Sequence, residues 1–192
     1  VDFQAMKVVA TIAIDGVKTG DTGGGPGQIQ LEVDESRNRL FVLSLQQQEV
    51  TVYDAATGYA KVATLSRAQI DWTKAPREGE LLFFDQARDV LFIGSVEVDA
   101  ATLLPTGRSL AGAIAIFGAD AESGTYWGLR AGHSGWLVTI SDAATLEILH
   151  EEPLPGAHVL VPVPALDAAH GRLSVGHQAE ARLDVFVVGD LR

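Results

Sequence analysis

The sequence of 192 residues contains no cysteine. Disulfides, thiolate metal sites, iron–sulfur ligation and a cysteine nucleophile are therefore excluded, while the cellular compartment is left open. Long apolar runs are missing too. The longest are strand-sized, such as Val159–Leu166 with its two prolines, and a bilayer span needs roughly 20 residues. Positive charge is scarce: 14 Lys and Arg stand against 25 Asp and Glu, a net charge of −11. Such a surface repels phosphate backbones and offers no basic stripe for nucleic acid. No helical period runs for any length, and no charged, apolar and small-residue leader of a signal peptide is visible.

What is present is a tetrapeptide on a fixed period. Asp-Ala-Ala-Thr occurs at Asp54–Thr57, Asp99–Thr102 and Asp142–Thr145, at spacings of 45 and 43 residues, and a degenerate fourth copy starts at Gly189. Repetition at this spacing marks a stack or ring of supersecondary units. With 47% hydrophobic and 20% charged residues, the chain is composed as a folded protein.

In the first unit, alternating Gln28–Val33, turn formers at Asp34–Asn38, the apolar run Arg39–Leu45, β-rich Val50–Tyr53, a turn at Asp54–Gly58 and Ala60–Leu65 make four short strands. Tight connections between them predict an antiparallel meander. The third unit repeats this order from Ala113 to His150, and the second is short, its third strand expected to be truncated or merged. The fourth ends after Val185–Val188 without a last strand, whereas Ala5–Ile14 has the pattern of a last strand and belongs to no unit. The expectation is an all-β, four-bladed β-propeller of four-stranded meanders in a single domain. Its blades cover about 28–65, 79–110, 112–155 and 157–192, with residues 1–14 completing the last blade and closing the ring.

The string Asn38-Arg-Leu-Phe-Val-Leu-Ser, followed by Val50-Thr-Val-Tyr-Asp-Ala-Ala-Thr-Gly and Val62-Ala-Thr-Leu, resembles the repeat of YVTN-type bacterial β-propellers. Lys7-Val-Val-Ala-Thr-Ile, Leu173-Ser-Val and Val185-Phe-Val-Val fit parts of the same pattern. The resemblance implies a periplasmic, cell-surface or secreted protein. It also implies the range of that fold: surface-layer proteins, lactonases, lyases and scaffold subunits of periplasmic dehydrogenases. Fold does not choose among them.

Chemistry in such a ring belongs to the face carrying the loops between strands two and three and between blades. The long connection Ser66–Gly79 holds Asp71, Trp72, Lys74 and Arg77, an aromatic with flanking charges suited to a ligand or protein partner, and Gln47 lies on a neighbouring loop. Trp127 and Trp136 fall within strands and read as core. His133, His158 and His177, with Glu180, are the residues from which a metal site could be assembled, although their spacing matches no ligand motif. The Gly-rich run Gly20–Gly27 lacks the Lys-Ser/Thr of a phosphate loop, and Gly132-His-Ser-Gly135 lacks the second spaced glycine of a nucleophile elbow. One Asp per Asp-Ala-Ala-Thr turn supplies too few oxygens for calcium, which takes roughly six to eight. The reading favoured is a non-catalytic binding or assembly module of the cell envelope or an extracytoplasmic complex. It needs no cofactor and meets a protein or small molecule, with neither nucleic acid nor a membrane span. The alternatives are a metal-assisted lactonase or lyase at the channel mouth, with Glu152 joining the histidines, and a scaffold subunit of a periplasmic redox complex.

Overall fold

The computed structural model describes residues 11–12, 29–74, 82–112, 114–154, 163–167, 172–177 and 182–187. The chain divides into two compact units, Val1–Ser66 and Arg67–Arg192. Segment 5–14, expected to close a ring, lies outside the described residues apart from Thr11 and Ile12, as do Gly20–Gly27 and the degenerate repeat at Gly189.

In the first unit, β1 (Ile29–Asp34), β2 (Arg39–Ser44), β3 (Glu49–Asp54) and β4 (Ala60–Leu65) form one antiparallel meander. The second unit carries two more four-stranded meanders. One is β5 (Leu82–Asp85), β6 (Val90–Ile93), β7 (Val96–Asp99) and β8 (Leu104–Ser109); the other is β9 (Ala115–Asp120), β10 (Thr125–Gly132), β11 (Gly135–Asp142) and β12 (Ile148–Pro153). A three-stranded sheet follows: β13 (Val163–Asp167), β14 (Arg172–His177) and β15 (Arg182–Val187). The short second repeat keeps its third strand: β7 is truncated to 4 residues and stays separate from β6 by the turn at Gly94 and Ser95.

One device shapes the turn end of the sheets. At the first turn, Asp34, Asp85 and Asp120 each accept backbone N–H groups two or three residues on, and the fourth residue on (Asn38, Asp89, Gly124) is left-handed. At the second turn, Asp54, Asp99 and Asp142 do the same, with Gly58, Leu103 and Leu146 left-handed. A short acceptor side chain satisfies the amides a reversing backbone leaves open. The two turns of each four-stranded sheet are then latched together. Ala55 N–H donates to Asn38 C=O (2.8 Å), Ala100 to Asp89 (3.1 Å) and Ala143 to Gly124 (2.9 Å). The repeated tetrapeptide is thus a structural clasp: Asp closes its own turn, and the alanine after it binds the other turn.

In the second unit, β9, the last strand of its sheet, lies against β5 and β13. Between the first two sheets, Phe92, Leu110, Ile114, Ile116, Tyr126, Ala143 and Leu146 form a buried core. On the opposite face of β10 and β11, Trp127, Leu129, Val138 and Ile140 pack with Leu154 and Leu173, and with partly buried Phe117, Trp136 and Leu166. The expectation that Trp127 and Trp136 serve the core is met. Both faces of the middle strands are therefore consumed by packing, which is how stacked meanders bury an apolar surface no single sheet could hide.

Two polar ties cross between these sheets. The buried Asp85 carboxylate accepts from Tyr126 Oη at 2.7 Å and from Arg88 Nη1 at 3.2 Å, and the Arg88 guanidinium lies 5.4 Å from the Tyr126 ring centre. Burial and the neighbouring carboxylate push the Tyr126 hydroxyl well above its ordinary pKa, so it stays a donor. Glu97, 2% exposed, accepts from Thr106 Oγ1 at 2.8 Å and pairs with Arg108 at 3.2 Å, while Arg108 Nη2 reaches Ala144 C=O at 2.6 Å.

Gly128 sits at a close approach: a Cβ there would stand 2.5 Å from Ile114 Cγ2, just before β9, and 3.1 Å from Ala115 C=O. Gly128→Ala is expected to destabilise the protein by about 1–3 kcal/mol through overpacking. Tyr126→Phe should cost about 1–3 kcal/mol, because it strips a donor from a buried carboxylate. Urea unfolding midpoints of the two variants check both values.

Candidate functional site

Downstream of β4, the chain makes two single turns of 3-10 helix, Arg67–Gln69 and Trp72–Lys74. The second is organised by Asp71, whose Oδ1 accepts from Thr73 Oγ1 (2.6 Å) and Thr73 N–H (3.1 Å); Lys74 N–H donates to Asp71 C=O at 3.1 Å. These hydrogen bonds hold the Asp71 carboxyl below its ordinary pKa. Trp72 is half-buried, and its Nε1 is enclosed without a hydrogen-bond partner among the described residues.

Lys74 joins this turn to the sheets. Ser95, fully buried in the β6–β7 turn, donates through Oγ to the Lys74 carbonyl and lies 2.7 Å from the Gly112 carbonyl. Ser95 N–H also donates to Lys74 C=O, and Ser95 C=O accepts from Leu110 N–H at 2.9 Å. One small side chain and its backbone thereby fix the Trp72–Lys74 turn and the β8–β9 link in a single arrangement. The Lys74 ammonium then donates to Ser109 Oγ at 3.0 Å. Beside it runs an open groove of about 680 Å³, lined by Lys74, Ser109, Gly112 and the stretch Thr145–Ile148.

Of the residues singled out from the sequence, Asp71, Trp72 and Lys74 share this turn, and Arg77 lies outside the described residues. Gln47 sits in the β2–β3 turn of the first unit, where its N–H donates to Ser44 Oγ at 3.3 Å. His133 is exposed at the tip of the β10–β11 hairpin, and His177 ends β14. His158 and Glu180 lie outside the described residues. Among the described residues, no three His, Asp or Glu side chains are grouped to hold a metal ion. Glu151 and Glu152 point apart on β12: Glu151 forms a two-pronged pair with Arg130, while Glu152 lies 3.5 Å from His150.

Sequence reasoning did not reach Ser95, Ser109 or the groove. Their relation is tertiary, and the one trace in the sequence is the very short Gly94-Ser95 turn that shortens the second repeat.

No family model matches this sequence, and no curated protein does. Among solved structures, the chain is similar to Saccharomyces cerevisiae Sqt1, with 13% identity and a TM-score of 0.54 over 82% of this chain and 45% of that one. It is also similar to the β-propeller domain of Myceliophteria thermophila Cps50 (Swd1), with 11% identity and a TM-score of 0.49 over 84% of this chain and 65% of that one. This chain therefore spans less than two thirds of either. The fold is that of a β-propeller. At these identities the likeness concerns the propeller fold and does not single out the YVTN repeat type.

In this propeller several carboxylates owe their acidity to native hydrogen bonds. Asp34 (buried, with partners Ser36 and Arg37), Asp142 (Thr145 and Ala144) and Glu151 (Arg130) all sit below their ordinary pKa. A carboxylate whose pKa falls on folding stabilises the native state above the unfolded value near 4, and that contribution disappears as pH drops through the folded values. Thermal melts should therefore be flat from pH 7 to about 5 and fall steeply below about 4. Asp34→Asn should lower stability at pH 7 and shallow the acid limb.

Proposed function

We propose that this protein is a non-catalytic β-propeller module that binds a protein partner in the cell envelope or an extracytoplasmic complex. The observation that carries this reading is the division of polar labour in the second unit. Asp85, Tyr126, Glu97 and Arg108 are spent on holding sheets together, while Lys74 is presented at an open groove, where among the described residues its ammonium donates to a hydroxyl. The repeated aspartates, the most conspicuous acidic groups, close turns.

A four-bladed ring completed by segment 5–14 is part of the same proposal. Its support is that, among the described residues, β13–β15 has three strands where each other sheet has four. The extracytoplasmic setting is supported by the YVTN-like strings in the sequence alone.

A photocrosslinker at Thr73, exposed beside Lys74, tests the binding reading against one at Glu122, exposed at the first turn of the third sheet. The expected result is one specific adduct from position 73, lost on Lys74→Glu, and none from position 122. A stoichiometric transition metal in the natively purified protein, found by mass spectrometry, would contradict the non-catalytic reading and send attention to the histidines. Deleting residues 1–14 should lower the unfolding midpoint sharply; unchanged cooperative unfolding would remove ring closure from the account.

A further inference from the structure

The groove beside Lys74 carries information about what it binds. In the second unit, Arg88, Arg108 and Arg130 each hold a carboxylate: Asp85, Glu97 and Glu151 respectively. Lys74 differs. Among the described residues its ammonium has no carboxylate within ion-pair distance, and its partner is the neutral Ser109 hydroxyl at 3.0 Å. Asp71, three residues before it, feels the Lys74 charge without forming an ion pair with it, so the ammonium stays available to an outside anion at the groove. The hydroxyl adds a second donor, because Ser109 Oγ accepts from Lys74 and keeps its own proton to give.

The position of this pair is fixed before any ligand arrives. Ser95 binds the carbonyls of Lys74 and Gly112 and the N–H of Leu110, so both walls of the ammonium end are pinned to one buried residue. Preorganisation of this kind removes part of the ordering cost of binding. The rest of the lining combines main chain and aliphatic groups with the polar side chains of Thr145 and Glu147. Ala111 and Gly112 are exposed, Gly112 holds a left-handed φ of 87°, Leu110 and Leu146 back the walls, and Ile148 is half-buried. Exposed main chain next to aliphatic surface suits an extended peptide, which offers its own N–H and C=O groups and apolar side chains. Glu147 lines the same groove and repels a ligand that is anionic along its whole length.

We infer that this groove takes a peptide carboxylate: the carboxylate sits on Lys74 Nζ and Ser109 Oγ, and an apolar neighbouring residue lies against the Leu110–Gly112 and Leu146–Ile148 walls. The inference rests on the reading of the chain as a partner-binding module and supplies the chemistry of that contact.

The test is a heteronuclear NMR titration of the full chain at pH 7 with two probes, N-acetyl-Leu-Leu carrying a free carboxylate and the same dipeptide as its C-terminal amide. The carboxylate probe is expected to shift the Leu110, Ala111, Gly112 and Glu147 amides saturably and to bind about tenfold tighter than the amide, the scale of one charge-assisted hydrogen bond. Lys74→Met should erase that difference, Lys74→Arg should keep most of it, and added salt should weaken the carboxylate probe alone. Matched proton–nitrogen spectra away from the groove show that each variant is folded. Equal affinity for the two probes, retention of the preference in Lys74→Met, or no shifts from either probe overturns the inference. If position 73 still crosslinks a partner in that event, the module reading stands and only the carboxylate chemistry falls.

Discussion

A buried carboxylate at a chain reversal is the interaction on which this structure depends. Asp85 shows its full form: one oxygen closes its own turn through the Ala87 and Arg88 amides, and the other receives Arg88 and the hydroxyl of Tyr126 from the next sheet. A buried charge is costly unless its lone pairs are filled, and here they are filled by groups that exist together only when two sheets are stacked. The same residue therefore favours a local turn and a particular neighbour. Glu97 repeats the logic further out, with Thr106 inside its own sheet and Arg108 reaching on to the Ala144 carbonyl.

This arrangement makes one end of each described meander rigid and leaves variation to the other. At the turn end, six aspartates, six left-handed residues and three backbone latches repeat with little change. At the loop end the connections differ: a four-residue turn after β2, and two-residue turns at Gly94-Ser95 after β6 and at His133-Ser134 after β10. The Gly94-Ser95 turn is the one that organises the groove, because it delivers Ser95 where the Trp72–Lys74 turn and the β8–β9 link meet. The groove draws on both kinds of element: Ser95 comes from a variable connection, while Thr145 and Leu146 belong to the regular Asp142 turn.

How much of this could be read in the sequence follows from the range of each interaction. The Asp-Ala-Ala-Thr repeat is local and gave meanders, turn positions and the all-β class directly. Strand ends drifted by a few residues, as at β12, where the third unit was expected to end at His150 and the strand runs Ile148–Pro153: Leu146 takes a left-handed φ of 62° and its N–H closes the Asp142 turn. The Trp72 turn was legible as a likeness of composition, an aromatic between opposite charges. The groove was not, because Ser95, Ser109 and Glu147 are separated by 14 and 38 residues and carry no motif. Asp-x-x-Arg at Asp34–Arg37 and again at Asp85–Arg88 was an available signal for the ion pairs inside the turns, but Tyr126, 41 residues beyond Asp85, could be assigned only by folding the chain.

The central claim is that the scaffold presents Lys74 and Ser109 ready-made, through Ser95. Amide hydrogen exchange in the free protein tests it most directly, read at Leu110 N–H, which donates to the Ser95 carbonyl, and at Ser95 N–H, which donates to that of Lys74. The account predicts protection at both amides comparable to that of the central strands β6 and β10, and its loss at both in Ser95→Ala. Exchange at loop rates in the unaltered protein would mean that the two walls are not held together, and would contradict a preformed groove.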